Sequence, residues 1–173
     1  MIHLRTLVTP VAALLIFTFS GAAQAATATA MLGVQVTITA SCTIAASTLN
    51  FGSVSGTALL LSVATATANV SVTCSSGTPY SIGMDNGLNA SGSQRRLAGG
   101  GNFLAYGLFT DVTRLIALTG ATDAVTCTLV GSCLLGTGNG SPQSSTVYGA
   151  IATIGTAPAA GTYTDTVTMT VTF

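Results

Sequence analysis

The sequence predicts an all-β fold, a sandwich of antiparallel sheets, on three observations. Apolar and polar residues alternate with a period of two along several runs, the mark of half-buried strands. Beyond residue 25 no stretch carries the 3.6-residue period of an amphipathic helix. Turn signals rich in Gly, Asn, Ser and Pro separate the runs at short intervals, as in a chain of many short strands.

Residues 1–25 are set apart from this pattern. Arg5 gives a positive charge, Val8 to Phe19 is mostly apolar, and Ala23-Gln24-Ala25 supplies small residues at alternate positions. That order is a secretory signal peptide, expected to be cut after Ala25. The alternative, an uncleaved anchor, is disfavoured because the apolar run is only about a dozen residues, short of the ~20 that span a bilayer. Thr, Ser and Gly interrupt every later apolar run, so none is a membrane-span candidate.

The first alternating run goes from Ala28 to Cys42, with Ala28, Ala30, Leu32, Val34, Val36 and Ile38 on one side and mainly Thr, Gly and Gln on the other. The second, Ala64 to Cys74, sets Ala64, Ala66, Ala68, Val70, Val72 and Cys74 against Thr65, Thr67, Asn69, Ser71 and Thr73. Between them Leu49 to Gly52 reads as a short strand or turn. Tyr80, Ile82 and Met84 alternate next, and Asp85-Asn86-Gly87 marks a turn. Leu88 to Gly101 reads as a loop. Asn102 to Thr110 is apolar on both sides, which fits a strand buried on both faces or at an interface. Leu115 to Leu118 is a further short candidate, and 121–142 is Gly-rich. Thr146 to Ile154 reads as a strand, and 157–161 as a turn. The last run places Tyr163, Val167, Met169, Val171 and Phe173 opposite a row of threonines, whose β-branched side chains suit an exposed strand face.

The cysteines are Cys42, Cys74, Cys127 and Cys133, an even number in an exported chain, which reads as two disulfides. Four cysteines allow three pairings. Cys42 and Cys74 both lie on the apolar side of a strand, which favours a buried bridge between neighbouring strands; Cys127 and Cys133 would then staple a local loop. A zinc site is the competing use, but there is no C-x-x-C pair and the expected compartment is oxidising.

Composition excludes much chemistry. After residue 25 the charges are Arg95, Arg96, Arg114, Asp85, Asp111, Asp123 and Asp165; there is no Lys or Glu, and the single histidine is His3. A Ser-His-Asp triad therefore has no base, and cysteine catalysis lacks its usual partner. The aspartates show no metal-loop spacing. Neither a cofactor nor a metal is expected, and the chain reads as a non-enzyme. Nucleic acid is not expected as a partner, since phosphate binding needs clustered positive charge. A net charge of zero favours association. The Arg95-Arg96 pair reads as a solvated loop rather than a docking site. Asp111 and Asp165 read as turn caps or local partners, and Tyr106 and Tyr148 as core rather than carbohydrate platforms.

Both ends of the chain after residue 25 are alternating runs. A terminal strand with no following partner leaves an open sheet edge. The first run has two open readings: it pairs within its own sheet, or it serves as a spare strand for such an edge on a neighbour.

Several stretches, taken in order, resemble the spore coat protein U domain family, which includes major subunits of archaic, Csu-type chaperone–usher pili. They are Cys42-Thr43-Ile44 with Leu49-Asn50-Phe51-Gly52, Val70 to Cys74, Pro79 to Ile82, Arg96-Leu97, Leu104 to Asp111, Val147 to Ile151, Gly161 to Val167 and Val171-Thr172-Phe173. Only 121–142, with Cys127 and Cys133, departs from that pattern. The resemblance implies an incomplete immunoglobulin-like sandwich, residues 39–173, completed by a donor strand from a neighbouring subunit. It implies that residues 26–38 are that donor, with Ala28, Ala30, Leu32, Val34, Val36 and Ile38 as the inserted row. Its implied partners are identical or related pilin subunits, a periplasmic chaperone that would hold Phe173 and its carboxylate, and an outer-membrane usher. The implied function is a pilus subunit in attachment and biofilm formation, exported through the periplasm to the cell surface. The alternatives are a spore or cell-surface coat protein of the same fold and a monomeric secreted binding module.

Overall fold

In the computed structural model residues 24–119 and 133–173 are described. The expected signal peptide up to residue 23, Asp123, and the Cys127–Cys133 bridge lie outside the described residues. Two units are distinguished, one ending at Thr37 and one running from Ile38 to Phe173.

Gln24 to Thr37 contains no strand, and each of its side chains is exposed. Among the described residues the first strand begins at Cys42 rather than Ala28. Alternation supplies one apolar side, but a strand also needs a neighbouring backbone to bond to, and this run pairs with none among the described residues.

The second unit is an antiparallel β-sandwich that is not closed. Its strands are β1 (Cys42–Ala46), β2 (Ala64–Cys74), β3 (Pro79–Met84), β4 (Arg96–Gly99), β5 (Asn102–Ala105), β6 (Gly107–Phe109), β7 (Leu134–Thr137), β8 (Gln143–Ile151) and β9 (Met169–Thr172). One sheet has the order β1-β2-β8-β6, another β7-β3-β9, and β4 and β5 form a separate pair. Val70, Val72 and Cys74 of β2, Val147 and Ile151 of β8 and Leu108 of β6 share one buried cluster with Ile82 and Met84 of β3. Burial of this kind stabilises by about 25 cal/mol per Å² of apolar surface, and period-two alternation assembles it from both sheets.

β1 is tied to β2 by a ladder running from Cys42↔Cys74 to Ala46↔Val70. At its first rung Cys42 and Cys74 form a disulfide. Ala64 to Cys74 forms the strand the sequence predicts. Leu49 to Gly52 is a turn: the Asn50 side chain accepts a hydrogen bond from the Gly52 N–H at 2.8 Å, and Gly52 has φ of 71°. Leu49 lies over β8 at Gly149, where an added Cβ would sit 2.8 Å from the leucine side chain. Glycine there admits Leu49 against the core.

Three expectations are corrected. The loop expected over Leu88 to Gly101 contains β4, which pairs with β5 through the tight turn Gly100-Gly101, both residues at positive φ (55° and 78°), as a two-residue hairpin of this hand requires. The single strand expected over Asn102 to Thr110 is two, β5 and β6, in different sheets. Phe103 is exposed and lies under the Arg96 guanidinium, 4.1 Å from the ring centroid, so that run is not buried on both faces. The long strand expected from Tyr163 is regular only over Met169–Thr172, for a reason found in the contacts of the residues before it.

Candidate functional site

β1 ends the order β1-β2-β8-β6 and β9 ends the order β7-β3-β9, so among the described residues each has one edge without a strand beside it. β1 and β9 lie in contact across the sandwich, so the two open edges are on the same side. Along this side the apolar side chains of Ile44, Val167, Met169 and Val171 pack on the core but are only partly buried. A cavity of about 370 Å³ is lined by Val70 and Val147 from one sheet, by Val167 and Met169 from the C-terminal run, and by Tyr106. It adjoins a second of about 690 Å³ that reaches Gly56, Leu104 and Pro158; Leu49, Phe51, Leu97 and Asp165 border both. Together they form a groove between the sheets.

Its wall is the C-terminal run. Tyr163, Val167, Met169 and Val171 pack against the core but are only partly buried. The backbone explains why. Thr164 exchanges hydrogen bonds with Ala98 in both directions, and the carbonyls of Thr166 and Thr168 accept from the N–H groups of Leu88 and Asp85. The same alternation continues in β9, where Thr170 and Thr172 are paired with Gly83 and Ser81. The intervening Tyr163, Asp165 and Val167 have no backbone partner among the described residues. Residues whose side chains face the core thus turn their main-chain N–H and C=O toward the open edge. An extended chain laid there could satisfy those groups and cover the apolar row together.

Thr164 meets β4 at Ala98, but residues 165–168 run beside a loop, Asp85–Asn89, instead of beside a strand. The Asp85 carboxylate accepts hydrogen bonds from the N–H groups of Thr168 (2.9 Å) and Gly87 (2.8 Å). Burial would raise its pKa, but these bonds and the nearby Arg95 charge bring it below the ordinary value. Asp165, the one carboxylate in the inward row, accepts from the Asn89 backbone and side chain, both at 3.1 Å, and from the Tyr106 hydroxyl at 2.7 Å. Burial, and then the bond to Asp165, push the Tyr106 phenol far above its usual range, so it stays a donor. Gly87, at φ of 81°, allows this approach, since a Cβ there would lie 2.1 Å from Asp165 Oδ2.

Arg95 lies beneath the network. It is 5% exposed, not the solvated residue expected. Its Nε donates to the Asp85 carbonyl at 2.9 Å, and Nη2 to the carbonyls of Met84 (3.0 Å) and Asp85 (2.6 Å); Nη1 donates to the carbonyl of Leu118. Burial lowers its pKa, opposed by Tyr106, Asp85 and Asp165. Arg96 is half-buried and donates to the carbonyls of Asn89 and Ala90. A polar loop sequence carries no signal for such burial, because the carbonyls that satisfy Arg95 come from distant segments.

The other expected residues fall as follows. Leu32 (88%), Val34 (88%), Val36 (82%) and Ile38 (86%) are exposed, as are Ala28 and Ala30. Phe173 follows β9 and is 56% exposed. Cys133 is buried. Tyr106 is core, and Tyr148 is half-buried with the Arg114 guanidinium 5.8 Å from its ring centroid. Asp111 caps its own turn, accepting from the N–H groups of Leu115 and Ile116 and from the Thr113 hydroxyl.

A family model described as the Spore Coat Protein U domain matches residues 28–170. Among solved structures, the chain is similar to one from the CsuC–CsuE chaperone–tip adhesion subunit pre-assembly complex of the archaic chaperone–usher Csu pili of Acinetobacter baumannii. The TM-score is 0.55 at 22% identity, over 79% of this chain and 41% of that one. The match therefore spans less than half of that solved chain and speaks to the fold. No curated protein matches.

Proposed function

The chain belongs to the Spore Coat Protein U domain family, and from that premise we propose that it is a non-enzymatic pilus subunit which polymerises by donating residues 26–38 to the groove of a neighbouring copy. The observation that carries this reading is the pairing of two complementary features in one chain. Among the described residues, the groove lacks a strand along the edges of β1 and β9, and Ala28–Ile38 is an exposed alternating run that belongs to no sheet. The run and the wall Tyr163–Phe173 have the same length, each about 33 Å when extended. Ala28, Ala30, Leu32, Val34, Val36 and Ile38 would cover the half-buried wall, while their backbone takes up the unpaired groups of Tyr163, Asp165 and Val167. Contacts of this head-to-tail kind do not close, so they build a fibre. Dissociation would strip a core strand, which favours kinetic stability.

Before assembly the open groove is an aggregation hazard. The reading therefore includes a periplasmic chaperone that covers it, with Phe173 as an anchor, and an outer-membrane usher where one strand replaces the other. The polymer would lie at the cell surface and serve attachment and biofilm formation.

The test is a denaturing gel of unheated and heated protein recovered from cells with its assembly partners, beside a chain lacking Thr27–Ile38. The expected result is a ladder that collapses on heating and is absent from the truncated chain. A single band in every lane, with a well-folded truncation, would overturn the reading in favour of a self-complete binding module.

A further inference from the structure

An unfilled sandwich has a physical difficulty of its own. Apolar walls with nothing between them gain by moving together, so a groove that waits for a strand needs something to keep it open. Apolar contacts are non-directional and do not fix a separation, whereas hydrogen bonds have a fixed length and direction.

Two directional ties cross between the layers; Arg95 lines neither cavity, but Met84 and Leu108, which its tie connects, border the one of about 370 Å³. The first is Arg95. Its guanidinium donates to the carbonyls of Met84 and Asp85, at the end of β3, and to the carbonyl of Leu118. Leu118 in turn donates its N–H to Leu108 of β6. β3 and β6 belong to different sheets, so one rigid fork holds both. The second tie joins Tyr106 to Asp165. Tyr106 directly precedes β6, its N–H donates to the Arg95 carbonyl, and its hydroxyl donates to the Asp165 carboxylate on the C-terminal wall. Asn89 holds the other carboxylate oxygen. Tyr106 and Asp165 border the 370 Å³ cavity, and Asp165 borders its neighbour too.

We propose that Arg95 and the Tyr106–Asp165 pair are positioning residues that hold the walls of the empty groove apart, so that it is open before a strand arrives. This rests on the groove being a strand acceptor. Once a strand is in place, its own side chains keep the walls apart, and the ties become largely redundant. Loss of a tie should therefore slow strand uptake far more than it destabilises the filled form. A purely structural role would weaken both alike.

Tyr106→Phe tests this, since it keeps the ring and removes only the hydroxyl. Arg95→Lys is the second variant: it keeps the charge but lacks the fork that reaches both layers. Each is made in the full chain and in a full chain with residues 26–40 repeated after Phe173 through a flexible linker. A fluorescent synthetic peptide of residues 26–40 reports uptake by the first form, and thermal unfolding reports the stability of the second. The expected result is uptake at least tenfold slower in both variants, with the Tyr106→Phe filled form melting within about 3 °C of its parent. Unchanged uptake, or uptake and melting temperature falling together in Tyr106→Phe, overturns the proposal. If the unsubstituted chain takes up no peptide, the acceptor reading fails, and the proposal with it.

Discussion

Asp111, read from the sequence as a turn cap or local partner, shows how one side chain can fix a turn. Its carboxylate gathers the Thr113 hydroxyl and the N–H groups of Leu115 and Ile116, and the Thr113 bond in particular brings its pKa to about 2 from the ordinary 3.8. The folded value is the lower one. The stabilisation is therefore full above the unfolded value and is lost as pH falls through the folded one. The Leu115 and Ile116 amide resonances should hold steady down to pH 4 and then shift together with a midpoint near 2. A midpoint at the ordinary carboxylate value would mean that the turn does not depend on Asp111. Arg95 makes the complementary point. As a residue type in a Gly- and Ser-rich stretch it reads as solvated, yet the fold surrounds it with backbone carbonyls, an arrangement that compensates the cost of burying a charge.

Among the elements, β1 depends most on a covalent tie. It is short, lies at an edge and, among the described residues, pairs only with β2. The Cys42–Cys74 bridge closes a loop across a sequence separation of 32, and removing a bridge of that span costs roughly 3–4 kcal/mol through the unfolded chain. Cys42→Ala with Cys74→Ala should lose that amount in denaturant unfolding. A loss below about 1 kcal/mol would mean that the ladder alone holds the edge, given the 2–4 kcal/mol typical of disulfides. The C-terminal run shows the opposite case. Its alternation is uniform from Tyr163 to Phe173, but only the part facing β3 is regular strand, because the rest faces the Asp85–Asn89 loop and meets β4 at the single bridge Thr164–Ala98.

At the scale of the whole molecule, the exposed row and the open groove make different demands on substitution. Leu32 and Val36 are 88% and 82% exposed. A chain carrying Leu32→Asp and Val36→Asp should keep its stability to within about 0.5 kcal/mol, as exposed substitutions do. It should nevertheless give no heat-sensitive ladder, since two buried carboxylates would have no partner in an apolar groove. A ladder that persisted would locate the contact between copies elsewhere.

The sequence by itself determined the all-β class, the sites of β2, β3 and, to within three residues, β8, the apolar side of β2 and β3, and the core role of Tyr106. These follow from a period of two and from turn residues, both local properties. The family was also readable, from short stretches in a constant order. Tertiary structure decided what depends on distant partners: that β5 and β6 separate into different sheets, that Arg95 is buried, and that Asp165 joins Asn89 and Tyr106. It also decided that β1 and β9 leave their edges open on one side among the described residues. An edge is open or closed according to what lies beside it, and alternation along one strand carries no information about its neighbour.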